Sequence, residues 1–399
     1  MRDGWEIKKL GDLCEFQRGL TYTKTDEVEI SDNIVLRATN IDLSTNLLNL
    51  SELKYISDRV AVPDSKKVSK NSMMICTASG SKSHLGKVAY IDDDYGYAFG
   101  GFMGMITPKS ALLPRYLFHL MTSDAYKDFI GKVSDGANIN NLKFDDLRGF
   151  LVPLPSISEQ QRIVSILDQV FEGIATAKAN AENNLKNARQ LFESHLNSVF
   201  SQRGEGWVEK RLGQVCQTGA GGTPLKSKKA YYEGGTIPWL LSGEVSQGQI
   251  HKAKHFISQQ GLENSSAKIF PKNTVLVAMY GATAGQVGIL KFEASTNQAV
   301  CGILPNDRFV PEYLFYFFLS QKDSLVAQAA GNAQPNISQL KIKNTAVPIL
   351  SLSEQQEIVE RFDFLRNQTQ RLESIYQKKI EALDALKKSI LQKAFSGKM

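Results

Sequence analysis

Between Leu154 and Ser201 the sequence holds one helical pattern for roughly 43 residues, about 65 Å of α-helix at ~1.5 Å per residue. Its start is legible. Ser158 stands where an N-cap belongs, Gln161 follows three residues later as in a capping box, and Glu159 sets a carboxylate at the positive end of the helix dipole. Apolar residues then recur at steps of three and four (Ile163, Ile166, Val170, Ile174, Ala177, Ala181, Leu185, Ala188, Phe192), with no proline and only Gly173 among them. A stripe that long cannot be buried inside one small domain. It needs a partner of equal length.

The partner is in the same chain. From Leu350 to the C-terminus the pattern returns, with Ser353, Glu354 and Gln356 repeating Ser158, Glu159 and Gln161 at an offset of 195 residues. At the far end Ser389, Leu391, Phe395 and Ser396 repeat Ser194, Leu196, Phe200 and Ser201 at the same offset. The helix is copied without a gap, and its expected seam is Ile358, Phe362, Leu365, Leu372, Ile375, Leu383, Leu386 and Ile390.

The segments before each helix repeat as well. Trp5 opens one copy and Trp207 the other, and Lys70-Asn71-Ser72 keeps that spacing to Lys272-Asn273-Thr274. Strand-like runs follow at Lys87 to Ile91 and Val287 to Phe292, then at Phe99 to Ile106 and Asn297 to Leu304; Met73-Met74 and Phe102-Met103 read as core strand. Asn138, Ile139, Leu142 and Lys143 echo Asn336, Ile337, Leu340 and Lys341, and modest helices are expected over 114–129 and 311–328. The expected fold class is α+β: two β-rich α+β modules, residues 1–152 and 204–349. Two long antiparallel helices, 153–203 and 350–399, would separate them as a coiled coil, in a pseudo-two-fold internal repeat.

Composition sets limits on partners and compartment. Hydrophobic and charged shares of 42% and 22% are globular values, and a net charge of +6 with a pI near 8.9 permits an anionic partner. The four cysteines form no CxxC, so neither a zinc scaffold nor a disulfide framework is signalled. No signal peptide is present and the longest apolar run, Tyr313 to Leu319, is too short to span a bilayer, so a cytoplasmic location with no membrane partner is expected.

No catalytic motif is found. An adenine methyltransferase would show Asn/Asp-Pro-Pro-aromatic and a glycine-rich cofactor loop, and a translocating ATPase would show GxxxxGK[ST]. The chain has neither. Asp92-Asp93-Asp94 reads as a solvated turn, and His251 and His255 sit four apart without a third ligand, so no metal, cofactor or small-molecule substrate is expected. What remains is chemistry for reading nucleic acid. The loop Gly221, Gly222, Thr223, Pro224, Leu225, Lys226, Ser227, Lys228 and Lys229 offers backbone donors, hydroxyls and cations to phosphates, though an ordinary surface loop could carry the same letters. A hairpin tip between matched strands carries Tyr280, Thr283 and Gln286 in one copy and Ser79, Ser81, Lys82 and His84 in the other, unlike side chains on like scaffolds. Thr21, Tyr22, Lys24 and Arg37 complete the candidates in the first module.

On these features the chain resembles the specificity subunits of Type I restriction-modification systems. The resemblance rests on the two Ser-x-x-Gln helix starts, the Trp-x-x-x-x-Leu-Gly module starts, Gly221-Gly222-Thr223-Pro224, Ile237-Pro238-Trp239 and Asn297-Gln298. The first module departs from it, with no Gly-Gly-Thr-Pro loop, Arg37 to Ile41 in place of Ile237-Pro238-Trp239, and Phe99-Gly100 where Asn297-Gln298 stand. The resemblance implies a non-catalytic chain whose modules are target recognition domains for a split, asymmetric site on double-stranded DNA. The helices would be the spacer. Two methyltransferase subunits would dock on them, with Glu159, Gln160, Gln161, Glu354, Gln355 and Gln356 as the candidate contacts, and restriction-translocase subunits would join. Two other readings stay open on the residues alone: an enzyme with an unrecognised site, and a coiled-coil scaffold that does not read sequence.

Overall fold

The computed structural model describes residues 4–80, 84–135, 141–202, 207–328 and 336–399. Four helices organise it: α1 (Pro114–Thr122), α2 (Ile157–Ser201), α3 (Pro311–Ser320) and α4 (Leu352–Phe395). The chain forms two compact units, Met1–Glu182 with Lys378–Met399, and Asn183–Gln377. Each combines one β-rich module with the start of the long helix that follows it and the end of the other.

In the first unit an antiparallel sheet runs in the order Cys14–Arg18, Met103–Pro108, Ser72–Cys76, Val88–Ile91. A smaller sheet runs Glu27–Val28, Lys54–Ile56, Asn33–Leu36, Ala98–Phe99, the last pair parallel. The central strand is buried on both faces. Met73 and Ile75 point to the core beneath α1, and Met74 and Cys76 point to the core between the sheets. The second unit repeats this alternation with Val275 and Val277 against Leu276 and Ala278. Its main sheet runs Thr218–Ala220, Val300–Ile303, Val275–Ala278, Val287–Leu290, Gln249–Ile250, and its smaller one His255–Ile257, Ile237–Leu240, Ala294–Thr296, Ile269–Phe270.

The first and last strands of each module pair with each other, Glu6 opposite Leu154 and Val208 opposite Ile349, which returns the chain to its own start before the long helix begins. The repeated Lys-Asn-Ser/Thr has a backbone cause. Asn71 and Asn273 both adopt positive φ, 63° and 69°, a region asparagine tolerates better than most residues, and each donates its N–H at 2.8 Å to the neighbouring strand, Ile91 and Leu290.

The long helices are antiparallel within each unit. In the first, Ile163 and Leu167 of α2 share a core with Leu391 and Ala394 of α4, Lys178 pairs with Asp384 at 2.7 Å, and Phe395 meets Tyr116 edge-on. In the second, Leu196 and Phe200 share a core with Val359 and Phe362, Arg189 pairs with Glu373 at 3.2 Å, and Phe200 meets Tyr313 edge-on. The expected α+β class with two long antiparallel helices is found.

Several local expectations are corrected. The N-caps are Ser156 and Ser351, two residues before those expected, and Ser158 and Ser353 are already helical. Ser351 Oγ accepts from Glu354 N at 3.3 Å while the Glu354 carboxylate accepts from Ser351 N at 2.9 Å, a reciprocal box in which the acid, not a glutamine, is the third helical residue. The helix expected over 114–129 breaks at Ser123, whose hydroxyl and N–H both turn back to the Leu120 carbonyl. The one over 311–328 breaks at Gln321. Of the α4 seam, Leu372, Ile375 and Leu386 are exposed. Two paired helices cover only a narrow face of each other, and a stripe wider than a strict heptad seam overflows it.

Candidate nucleic-acid interface

Strand ladders align the modules more securely than letters do. The N–H groups of Gly19 and Leu20 donate to Met103 and Phe99, and those of Gly221 and Gly222 donate to Val300 and Thr296. Gly19-Leu20-Thr21-Tyr22 is therefore the first module's version of Gly221-Gly222-Thr223-Pro224, a loop that matching by letters alone leaves out. The retained glycine has a steric cause: a Cβ at Gly19 would lie 1.9 Å from the Gly100 carbonyl oxygen, and at Gly221 2.1 Å from Thr296 Oγ1.

The same logic corrects three further registers. Gly100 and Asn297 donate to Leu36 and Leu240, so Gly100 matches Asn297, Gly101 matches Gln298, and Arg37 matches Leu241 instead of the Ile237-Pro238-Trp239 strand. Asn40 and Glu244 then play one part, each accepting at 2.9 Å from the backbone N–H of Arg37 or Leu241. Leu142 and Ile337 donate to Thr77 and Met279, so Asn141 answers Asn336; Asn138 and Ile139, aligned by letters, lie outside the described residues.

In the first module Thr21, Tyr22, Lys24 and Arg37 come together around one cleft of about 550 Å³, with Glu27 and Phe102 also lining it. Glu27 is held by Lys54 at 2.6 Å, and that hydrogen bond keeps its carboxyl below the usual range. Burial, with Glu27 adding to it, pushes the Tyr22 phenol up. Arg37 Nε is buried without a hydrogen-bond partner among the described residues. Sequence reasoning missed Phe102, which it placed in a core strand from Phe99 to Ile106. That run is two strands of different sheets, Ala98–Phe99 and Met103–Pro108, and Phe102 sits on the turn between them, 74% exposed. Gly100-Gly101 was the signal for that turn.

In the second module Gly221 and Gly222 are buried and their N–H groups are spent on the sheet, so they are not the phosphate donors expected. Thr223 Oγ1 donates to Gln298 Oε1 beside them, and Trp239 Nε1 donates to the Gly222 carbonyl at 2.9 Å. Lys226, Ser227, Lys228 and Lys229 are exposed. Lys228 lies over Tyr231 and bonds its hydroxyl at 3.2 Å. At the hairpin tips Tyr280 is exposed, Thr283 donates to the Tyr280 carbonyl at 3.2 Å, and Gln286 is half-buried. Ser79 and His84 flank the other tip half-buried, while Ser81 and Lys82 lie outside the described residues.

The helix starts also divide. Gln160 and Gln355, expected at a partner surface, are fully buried. Gln160 accepts from Leu113 N at 2.8 Å and donates to the Ala111 and Pro155 carbonyls at 3.0 Å, and Gln355 makes the same three bonds with Val310, Arg308 and Leu350. Each glutamine is a clamp between helix and module, with no amide group left to offer a partner. Gln161 and Gln356 are exposed, Glu159 pairs with Arg162 at 2.7 Å, and Glu354 is the cap already described. Among the described residues no group of three or more His, Cys, Asp or Glu could hold a metal, and no helix is long and apolar enough to cross a membrane.

Comparison with known proteins adds to this geometry. A family model described as the Type I restriction modification DNA specificity domain matches residues 2–187 and again 204–382. The chain is 26% identical to the StySPI specificity subunit of a Type I restriction enzyme from Salmonella potsdam, over 100% of this chain and 89% of that one. It is equally 26% identical to the EcoKI specificity subunit from Escherichia coli K12, with the same 100% and 89% covered. A solved chain from work on complex assembly and conformational transition of the type I R-M system superposes with a TM-score of 0.82 at 20% identity, over 100% of this chain and 99% of its own. The HsdS subunit from Thermoanaerobacter tengcongensis gives 0.62 at 21%, over 100% and 98%. At these identities the two structures speak for a shared fold.

Proposed function

The chain belongs to the Type I restriction-modification DNA specificity family, and on that premise we propose that each module reads one half of a split, asymmetric DNA site. The observation that carries this reading is a shared scaffold with unlike side chains at matched positions. Tyr22 faces Pro224 in the alignment, Arg37 faces Leu241, and Phe102 faces Ala299. Two copies held to one backbone plan while the side chains at matched loop positions diverge are suited to reading two different sequences.

In this reading residues 1–152 and 204–349 are the recognition domains, and 153–203 and 350–399 are the spacer. The spacer helices, of 45 and 44 residues, are each about 66 Å long at ~1.5 Å per residue, against a DNA helical turn of roughly 34–36 Å. They would set the gap between half-sites. Exposed Lys226, Lys228 and Lys229 would meet phosphates, with Tyr280, Thr283 and Gln286 near base edges. Methylation and cleavage would be the work of partner subunits, two of them methyltransferases docked near Gln161 and Gln356, in the cytoplasm where the DNA lies. Co-expression with the cognate methyltransferase, followed by sequencing that detects methyladenine, tests the reading. A bipartite motif is expected. Methylation or cleavage by this chain alone would overturn it.

A further inference from the structure

Resting on that reading, we propose that Arg37 and Phe102 form the base-reading pair of the first module, Arg37 taking the acceptor edge of a guanine and Phe102 packing on the adjacent base pair. Both residues line the 550 Å³ cleft that opens between the loop after Cys14–Arg18 and the turn after Ala98–Phe99.

A phenylalanine 74% exposed is a poor resident of a surface turn unless something covers it, and this one is held in place. Its carbonyl accepts from Thr77 N and Thr77 Oγ1 at 2.9 Å and from Ala78 N at 3.2 Å, so the turn is tied to the central strand. The ring therefore stands on a fixed backbone. Arg37 is placed by Asn40, which accepts from its N–H, and its Nε is buried with no acceptor among the described residues. Arg37 as a whole is half-buried on the cleft wall, so a base edge entering the cleft would meet its guanidinium.

Charge does not choose the ligand here, since Glu27 is paired with Lys54 and Lys24 lines the cleft beside Arg37. The exposed Phe102 ring does, because it can pack on a base and has nothing to offer a phosphate. Guanine O6 and N7 match the planar fork of arginine, and an aromatic ring packs against a base or a thymine methyl. The second module has Leu241 and Ala299 at the matched positions, so this pair would serve one half-site only.

The test uses the full-length chain co-expressed with its methyltransferase, with methyladenine mapped across a genome for wild type, Arg37→Ala, Arg37→Lys and Phe102→Ala. Arg37→Ala and Arg37→Lys should both relax one guanine position in one half-site by roughly 10- to 100-fold, the lysine failing because charge without the fork does not read a base. Phe102→Ala should weaken the neighbouring position and leave the other half-site intact. Near-normal methylation by Arg37→Lys, a loss spread evenly over all positions, or an unchanged profile in every variant would each overturn the proposal. A wild-type chain yielding no bipartite motif would instead defeat the parent reading, and is told apart by that.

Discussion

Nε2 of His119 lies 2.7 Å from Oδ1 of Asp168, joining α1 to α2 across the buried seam of the first unit. The matched place in the second unit is held by Tyr316, whose hydroxyl donates to Asp363 at 2.5 Å. One contact, from the short helix to the long one, is thus made with a titrating group in one copy and a phenol in the other.

That difference predicts a pH dependence confined to the first unit. Burial holds His119 below its ordinary value, outweighing the hydrogen bond and charge of Asp168. Burial would raise the Asp168 carboxyl, but hydrogen bonds from His119 and Arg115 bring it down to about 2. Below about pH 6.5 the unfolded imidazole takes a proton that the folded one resists, so stability is full above that pH and falls as pH drops beneath it. The carboxylate's contribution is present above about pH 4 and is lost toward pH 2. Amide exchange at Leu117 to Met121 should quicken between pH 7 and 5.5 after correction for intrinsic rates. His119→Tyr, which copies the second unit, should flatten that slope; an unchanged slope would show that another group titrates.

Gln160→Leu should destabilise the first unit by on the order of 2–3 kcal/mol, because it strands one buried N–H and two carbonyls that the amide now satisfies. Gln355→Leu should do the same to the second. Urea unfolding followed by exchange in each unit separates the two. A loss below about 0.5 kcal/mol in either would show that the clamp can be replaced by packing.

Asn273→Gly should be tolerated and Asn273→Val should cost about 1–2 kcal/mol, since a β-branched residue is strained at a φ of 69°. Equal melting temperatures for the two variants would contradict this.

Lys226→Gln with Lys229→Gln should weaken DNA binding across all sequences. It should also reduce the slope of log affinity against log salt by about 1–2, roughly 0.9 for each phosphate no longer neutralised. A lost preference at one base position with the salt slope intact would assign these lysines to base reading instead.

Inserting four residues, about one helical turn, within 175–190 should lengthen the gap between half-sites and leave the bases read unchanged. Recovery of the original gap in the methylation motif would rule the helices out as its ruler.

The sequence by itself determined the duplication, the two long helices, the family and the basic loop. Each is a pattern local to the chain: periodicity, capping chemistry, or a motif repeated at fixed spacing. Tertiary structure alone decided the rest. It decided that Arg37 answers Leu241, that Gly19 answers Gly221, that Gln160 is a buried clamp and that Phe102 faces solvent. The reason is that insertions shift letters between copies while a hydrogen-bond ladder does not. Whether a side chain meets a partner or joins a core likewise depends on which strands and helices meet around it, and that meeting is not written in the spacing of neighbours along the chain.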